Sequence, residues 1–219
     1  FQALAATGCV EFLAETYSHS LSSLISPEEF NKQVEDHSNK IECLFNQKPT
    51  VFRNTELIYS DRIGVMVSNL GFKTMLSEGA DHILGWRSPN YMYSSVSNPG
   101  LNLLLKNYRL SDDIAFRFSQ PGSLTAGKFV HWLNAIPGNE EIVNLFMDYE
   151  TFGEHQWEET GIFEFLRALP HNIVSSSSTI FVTPSEASIF LPPIATFISP
   201  DPVSWDDGTN NLSARRGPE

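Results

Sequence analysis

Short apolar runs alternate with segments that carry helix-start signals along most of this chain, and this alternation restricts its fold more than any other feature. Such runs, most of them followed by polar or acidic side chains, occur at residues 9–15, 51–56, 72–77, 101–105, 142–147 and 180–182. Their length and their content of Val, Ile, Leu and Phe predict buried strands. Because strands that alternate with helices form parallel sheets, the sequence predicts an α/β fold with a parallel sheet or barrel.

The connections between these runs carry signals for helix starts and helix ends. Ser26 is a favoured N-cap, Pro27 suits the first helical position, and Glu28 faces the positive end of the helix dipole, so a helix is predicted to begin here. Further helices are predicted over residues 60–70, over residues 126–136, over residues 162–170 with Pro170 as the stop, and after Thr183.

The charge balance of the chain restricts its partners. Its 14 basic and 26 acidic residues give a net charge of −12 at pH 7, which argues against nucleic acid and against an anionic membrane surface, because few basic groups are left to neutralise phosphates. No apolar run approaches the roughly 20 residues that a transmembrane helix needs. A neutral substrate fits this composition better, and the sequence specifies no oligomeric state.

The two cysteines and the chain ends suggest where the protein works. Cys9 and Cys43 show neither metal-ligand spacing nor a disulfide framework, so they are predicted to be buried thiols in a reducing compartment, which favours a cytoplasmic location. The chain lacks an initiator Met and is interpreted as a piece of a longer protein. Residues 206–219 are rich in Asp, Asn and Gly and are predicted to form a loop or tail.

Polar residues follow several of the predicted strands at their carboxyl ends: Glu11 and Glu15, Glu56, Glu78, Asn107 with Arg109, and Asp148 with Glu150. Because the carboxyl ends of parallel strands share one edge, side chains far apart in sequence can meet in one cleft there. Paired carboxylates are what glycoside hydrolysis uses, one as nucleophile and one as proton donor. A capped or solvated turn explains Glu15 or Glu78 equally well.

Three segments resemble consecutive conserved regions of glycoside hydrolase family 57, the α-amylase and 4-α-glucanotransferase family. Residues 8–13 (GCVEFL) resemble its second region, residues 53–57 (RNTEL) its third and residues 148–153 (DYETFG) its fourth, in the order of the family. Residues 85–91 and 108–118 resemble the intracellular α-amylase branch. The resemblance extends over residues 1–205.

The resemblance implies a parallel (β/α)7-type barrel over residues 1–205, incomplete at the N-terminus and without the helical region that follows it. Residues 206–219 would be the truncated start of that region. The first and fifth conserved regions of the family are absent from the sequence. It also implies that Glu56 is the nucleophile, that Asp148 is the general acid/base and that Glu11 and Glu150 hold the substrate, an α-1,4-glucan or maltooligosaccharide. It implies no cofactor and no metal.

The chemistry of a retaining glycosidase sets conditions on the two carboxyls. Retention requires them to lie about 5–5.5 Å apart, too close for a water molecule to attack between them. Glu56 has to be ionised, and Arg53 or Glu11 is expected nearby to set its charge. Asp148 has to keep a proton, which burial or the neighbouring Glu150 would favour.

Trp86 and His155 complete the candidate site. Trp86 is interpreted as a stacking platform for a sugar ring, with a position in the core as the alternative, and His155 as a hydrogen-bonding partner of sugar hydroxyls. The histidines lack metal-ligand spacing. Four activities stay open: hydrolysis of α-1,4-glucans, 4-α-glucanotransfer, glucan binding without turnover, and metal-dependent deacetylation of a carbohydrate.

Overall fold

A computed structural model of the chain describes residues 1–120, 124–176 and 178–205. The helices are α1 (Gln2–Ala5), α2 (Ser22–Ile25), α3 (Pro27–Phe45), α4 (Asp61–Asn69), α5 (Asp81–Leu84), α6 (Tyr108–Ala115), α7 (Ala126–Asn134), α8 (Ile162–Ser176) and α9 (Pro184–Phe190). The strands are β1 (Val51–Arg53), β2 (Thr74–Glu78), β3 (Met92–Ser95), β4 (Asn102–Lys106) and β5 (Ala195–Phe197). The predicted tail, residues 206–219, lies outside the described residues, and a single domain over residues 1–205 stays a prediction.

Two compact units make up the chain. Among the described residues, the first comprises residues 1–106, 141–144 and 182–205, and the second comprises residues 107–120, 124–140, 145–176 and 178–181. Each unit has an apolar core of its own. Over the described residues, no helix is both long and apolar enough to cross a lipid bilayer.

The first unit contains the sheet, whose strands run in the order β1-β2-β4-β3-β5. The pairs β1–β2, β2–β4 and β3–β5 are parallel, and β3–β4 is antiparallel. Ala14 adds a parallel bridge beside β1, and Asn144 adds one at the end of β4. The predicted α/β fold with a mainly parallel sheet is therefore confirmed.

The strands β2 and β4 send alternate side chains to two apolar clusters. Met75, Leu103 and Leu105 belong to the main cluster, together with buried residues of α3 and α4. Leu104, with Leu76 packed against it, belongs to a smaller cluster that includes residues of β3 and α9. Because both faces are covered, consecutive residues in the middle of each strand are apolar, Met75 and Leu76 in β2 and residues 103–105 in β4, as is typical of buried parallel strands.

The helix starts follow the capping signals of the sequence. The Ser26 side chain accepts a hydrogen bond from the backbone N–H of Glu29, and the Ser60 side chain accepts one from that of Ile63. A capping box closes the start of α9 around Thr183. The predicted starts of α3, α4 and α9 are therefore confirmed, because capping depends on residues within one turn of each other.

The strand predicted over residues 9–15 is wrong, since the structure reduces it to the single bridge of Ala14 with β1. The Gln47 side chain takes the backbone groups that a longer ladder would use. Its Nε2 donates to the Val10 carbonyl at 3.1 Å, and its Oε1 accepts from the Phe12 N–H at 3.4 Å. A side chain from a distant segment thus replaces strand pairing.

The strand predicted over residues 142–147 is wrong for a similar reason. Asn144 forms one parallel bridge to the end of β4, and its Nδ2 donates to the Leu105 carbonyl at 3.0 Å. The N–H of Ile142 donates to the Asn90 carbonyl at 3.2 Å. The segment is extended, but its hydrogen bonds come from the Asn144 side chain and from a loop carbonyl, and not from a neighbouring strand.

The strand predicted over residues 180–182 is also wrong, because these residues are largely exposed and carry no strand assignment. The strand β5 lies further along, in a stretch for which no regular structure is predicted. It pairs with β3, which the sequence analysis also missed. The Phe197 ring of β5 is buried, with its centroid 5.7 Å from that of Tyr59 and 6.3 Å from that of Tyr93. Long-range aromatic packing therefore places β5.

The second unit is helical, with α7 and α8 packed together. The helix predicted over residues 126–136 is confirmed as α7, whereas α6 was not predicted. Pro170 does not stop α8, which continues to Ser176. A proline inside a helix costs about 3 kcal/mol. The buried side chains of Phe165, Leu169 and Ile173 lie on one face, and each contributes about 2 kcal/mol, which outweighs that cost.

Both cysteines are free and exposed, so the prediction of buried thiols is wrong. Cys43 lies on α3, whose buried residues are Phe30 and Val34, and it faces away from them. The backbone N–H of Cys9 donates to the Thr7 side chain at 3.1 Å in the turn after α1. Neither position brings the thiol to the core.

Candidate active site

Glu56 lies just beyond the carboxyl end of β1, in a turn with an unusual backbone. It has φ 54° and ψ 24°, and Leu57 has φ 52°. Left-handed conformations cost non-glycine residues about 1–2 kcal/mol each, so contacts have to hold this turn. The buried Asn54 side chain supplies two, donating to the Ile58 carbonyl at 2.9 Å and to the Ser23 hydroxyl at 3.0 Å.

Both oxygens of the Glu56 carboxylate have nitrogen partners. Oε1 lies 3.3 Å from Nε2 of His19, and Oε2 accepts from the indole Nε1–H of Trp205. The Glu56 backbone carbonyl accepts from the Ser204 hydroxyl at 2.9 Å and from the Trp205 N–H at 3.2 Å. The segment around residue 204 therefore holds both the backbone and the side chain of Glu56.

A second layer of charge surrounds His19. The Arg53 Nη1 donates to Glu15 Oε2 at 2.8 Å and lies 3.4 Å from Nδ1 of His19. Arg53 is the last residue of β1, and Glu15 follows the bridge beside that strand. The expected arginine is thus present, and its partner is Glu15.

A buried ion pair lies at the carboxyl ends of β2 and β4. Lys106 Nζ is 4.0 Å from Glu78 Oε2, and the two side chains are 3% and 0% exposed. The same ammonium lies 4.9 Å from the centroid of the Trp205 ring. Through Trp205, this pair is connected to Glu56. The carboxylates at the carboxyl ends of β1 and β2 therefore lie at one edge of the sheet.

Glu11 lies elsewhere. Its Oε1 accepts from the Thr50 hydroxyl at 3.2 Å and its Oε2 from the Ser185 N–H at 2.9 Å. Thr50 precedes β1, whereas Glu56 follows it, so Glu11 lies at the amino-terminal edge of the sheet. The expectation that Glu11 sets the charge of Glu56 is therefore wrong. Its role in substrate binding stays a prediction.

Trp86 projects from the loop after α5. Its side chain is 96% exposed, so the alternative of a core position is wrong. The next residue anchors the loop, since the Arg87 guanidinium donates to the carbonyls of Ile83 at 2.9 Å and Leu84 at 3.1 Å. An indole held outward on a hydrogen-bonded turn is suited to stacking against a ring, and this role stays a prediction.

Asp148, Glu150 and His155 belong to the second unit. Asp148 is half-buried, and its carbonyl accepts from the Thr151 N–H at 3.1 Å at the start of a short 3₁₀ turn. Glu150 is exposed, and its carbonyl accepts from the His155 N–H at 2.9 Å. The chain thus turns back on itself, and one loop presents all three side chains.

The loop that contains Asp148 also carries exposed rings. The His155 ring stacks on Phe116 with centroids 6.3 Å apart. Tyr149 is 75% exposed and Trp157 65% exposed, and the Trp157 indole donates to the Glu154 carbonyl at 2.6 Å. Exposed rings of this kind are suited to stacking on a sugar ring, and this role stays a prediction.

Several residues around Glu56 were not predicted from the sequence. No role is predicted from the sequence for His19 or for Trp205. The sequence carries no local signal for their contacts with Glu56, because His19 and Trp205 lie 37 and 149 residues away from it along the chain. Among the described residues, no group of three His, Cys, Asp or Glu side chains is arranged to hold a metal ion.

Comparison with known proteins gives a consistent family. The profile of Glycosyl hydrolase family 57 matches residues 1–194. A Methanocaldococcus jannaschii protein named "Putative alpha-amylase" is 48% identical over 224 residues, which cover 99% of this chain and 47% of that protein. The chain thus spans about half the length of this curated relative.

Two crystal structures share the fold. The 4-alpha-glucanotransferase from Thermococcus litoralis superposes with a TM-score of 0.73 at 16% identity, over 90% of this chain and 31% of that one. The alpha-amylase from Thermotoga maritima gives 0.68 at 17%, over 98% and 55%. The likeness confirms the predicted α/β fold, as in the (β/α)7 barrels of this family. By its sequence profile and its fold, the chain belongs to glycosyl hydrolase family 57.

Proposed function

We propose that the protein is a retaining glycosidase that hydrolyses α-1,4-glucans, with Glu56 as the nucleophile. The observation that carries this proposal is the Glu56 carboxylate, which lies at the carboxyl end of β1 with each oxygen beside a ring nitrogen, from His19 and from Trp205. A fixed carboxylate in a strained turn is suited to attack, because little reorganisation is needed before the bond forms.

In the proposed first step, a Glu56 oxygen attacks the anomeric carbon while Asp148 gives its proton to the leaving glycosidic oxygen. The products are a glycosyl ester of Glu56 and a shortened sugar with a free hydroxyl. In the second step, Asp148 removes a proton from water, whose oxygen displaces Glu56 from the anomeric carbon. Two inversions leave the configuration of the starting glucan, and both carboxyls return to their initial states.

The proposed binding residues have different roles. Glu150 and His155 lie in the same loop as Asp148 and are proposed to hydrogen-bond sugar hydroxyls. Trp86 is proposed to stack on a ring of the glucan. Glu11 is also proposed to bind substrate. Its contacts with Thr50 and Ser185 hold the segment before β1.

We propose hydrolysis and not glucanotransfer because of the names and identities of two similar proteins. The relative with 48% identity carries the name of an alpha-amylase, whereas the glucanotransferase is similar at 16% identity. The two reactions share the ester of Glu56 and differ in the acceptor, water or a sugar hydroxyl. Their products therefore distinguish them.

The test is a product analysis of maltoheptaose with the wild-type protein and with Glu56→Gln. We expect only shorter sugars, released as the α-anomer, and a loss of at least about 10³-fold in rate for the variant, because it lacks the nucleophile. Glu159→Gln, on an exposed 3₁₀ turn, is the matched control and should keep full rate. A redistributed ladder containing longer sugars would establish transfer instead.

The controls also address the remaining activities. Circular dichroism should show the same fold for Glu56→Gln and wild type, because an amide oxygen can still accept one of the two hydrogen bonds. Normal turnover by this folded variant would refute the assignment. Binding of maltoheptaose without any product would support a glucan-binding protein, and acetate release from an acetylated sugar by metal-loaded protein would support a deacetylase.

A further inference from the structure

We propose that His19 is a positioning residue for Glu56 and transmits to its carboxylate the orientation that Arg53 imposes on the imidazole ring. The inference rests on the proposed function, which makes Glu56 the nucleophile. It assigns a role to a side chain that acts through Glu56 and lies outside the three segments resembling conserved regions of the family.

The direction of the hydrogen bonds around His19 follows from the chemistry of its neighbours. Arg53 Nη1 lies 3.4 Å from His19 Nδ1, and a guanidinium can only donate. Nδ1 therefore accepts, so the neutral ring carries its proton on Nε2. Nε2 lies 3.3 Å from Glu56 Oε1, and its N–H thus donates to the carboxylate.

The other end of the relay is fixed to the sheet. Arg53 ends β1, and its Nη1 donates to Glu15 Oε2 at 2.8 Å. The Glu15 backbone N–H donates to Nδ1 of His37 on α3 at 3.2 Å. Glu15 Oε2 is 3.8 Å from His19 Nδ1, too far for a hydrogen bond. Arg53 is therefore the group that fixes the tautomer.

The backbone also brings the two side chains together at a cost. His19 has φ 50° and Glu56 has φ 54°, so two non-glycine residues in the left-handed region face each other through their side chains. The His19 N–H donates to the Thr16 carbonyl at 3.0 Å, which closes the turn that presents the ring. Strain of this kind occurs mostly at functional sites, where surrounding contacts maintain it.

Holding both oxygens restricts the rotation of the Glu56 carboxylate. His19 holds Oε1 and Trp205 holds Oε2, so loss of either donor frees one oxygen. A nucleophile displaced by about 1 Å can lose about 100-fold in rate. We therefore expect His19→Ala to slow formation of the glycosyl ester about 10- to 100-fold, with little change in KM.

Two conservative variants distinguish the effect of the ring N–H donor from the effect of the left-handed backbone at residue 19. In His19→Gln the amide Nε2–H replaces the donor to Glu56, whereas in His19→Asn the side-chain oxygen replaces the acceptor for Arg53. Asn also tolerates a left-handed φ better than Gln. We expect His19→Gln to recover most of the rate and His19→Asn to recover little, although His19→Asn should be at least as stable.

The kinetic test measures the pre-steady-state release of nitrophenol from a nitrophenyl maltooligosaccharide by the full-length protein. Equal rates for His19→Gln and His19→Asn, or a faster His19→Asn, would show that the residue acts through its backbone and would overturn the proposal. His131→Gln and His131→Asn, at an exposed position on α7, are matched controls and should leave the rate unchanged.

A spectroscopic readout is independent of turnover. The ¹⁵N chemical shifts of the His19 ring in the wild-type protein should report the tautomer protonated on Nε2, and a ring protonated on Nδ1 would overturn the relay. Mass spectrometry of wild type treated with an activated fluoroglycoside should locate a sugar adduct on Glu56. An absent adduct refutes the proposed function, whereas an adduct without the difference between His19→Gln and His19→Asn refutes only this inference.

Discussion

The indole N–H of Trp205 offers a direct measure of how strongly the structure holds Glu56. Trp205→Phe removes the donor to Oε2 and keeps an aromatic ring beside Lys106. The rest of the Glu56 turn keeps its own hydrogen bonds, including those of the Asn54 side chain. The variant therefore isolates one hydrogen bond to the carboxylate.

The expected loss follows from the exposure of the two partners. A hydrogen bond to an ionised acceptor contributes about 1.5–3 kcal/mol. Because the Glu56 side chain is 38% exposed, water replaces part of the lost bond, and the lower end of that range applies. Lys106 Nζ lies 4.9 Å from the indole centroid, and the weaker attraction of Phe costs about 0.5 kcal/mol more. The sum is about 2 kcal/mol, which lowers Tm by about 4–8 °C.

Denaturation by guanidinium, followed by circular dichroism, measures this loss without relying on tryptophan fluorescence. The control is Trp157→Phe, because the Trp157 indole is 65% exposed and donates to a neutral carbonyl, so its loss should stay below about 1 kcal/mol. If Trp205→Phe costs no more than Trp157→Phe, the indole does not hold Glu56, and the reasoning is refuted.

Two further predictions concern the support of the site. A Cβ at Gly64 would come within 3.2 Å of the buried Tyr59 hydroxyl and 3.0 Å of the Ser95 oxygen to which that hydroxyl donates. Denaturation of Gly64→Ala should therefore show a loss of about 1 kcal/mol in the free energy of unfolding, because the cost of overpacking exceeds the gain in helix propensity. Gly127→Ala is the control and should not lose stability, because a Cβ at Gly127 would meet open space. Burial lowers the pKa of His37 below 6.5, and its Nδ1 accepts from the Glu15 N–H. Its stabilisation is therefore present above pH 6.5 and lost as pH falls through the lowered pKa, so acid denaturation should be less steep for His37→Gln; an equal slope would contradict this.

Local signals in the sequence predicted the helix starts well. Ser26 and Ser60 cap helices because the partner N–H groups lie three residues away, so the information is contained in a few consecutive residues. The apolar runs that became β1, β2 and β4 were also predictable, because apolar side chains such as Val51 and Phe52, Met75 and Leu76, and residues 103–105 are consecutive in the sequence.

Long-range contacts explain the errors. The Gln47 amide replaces a strand partner for residues 10 and 12, and nothing within residues 9–15 reveals a distant amide. The strands β3 and β5 depend on each other and on the packing of Phe197 against Tyr59 and Tyr93. Period and propensity therefore cannot locate them.

In the candidate site, too, local sequence predicted some residues, and long-range contacts placed the others. Glu56 could be predicted because a motif of five residues surrounds it, and Arg53 lies in that motif. His19 and Trp205 come from segments 37 and 149 residues away, and their contacts depend on the left-handed turn at Glu56, which no residue type in the sequence specifies. Folding of the turn therefore creates the surroundings of the predicted nucleophile.

Three carboxylates gather at the carboxyl edge of the sheet, and their partners favour Glu56 as the proposed nucleophile. Arg53 pairs with Glu15 and Lys106 pairs with Glu78, so a cation neutralises each of these acids and keeps it structural. Within the described part of the first unit, the Glu56 carboxylate receives an indole N–H and, by the tautomer argument, a neutral imidazole N–H. Neutral donors orient a carboxylate without cancelling its charge, which stays available to stabilise the positive charge that develops at an anomeric carbon.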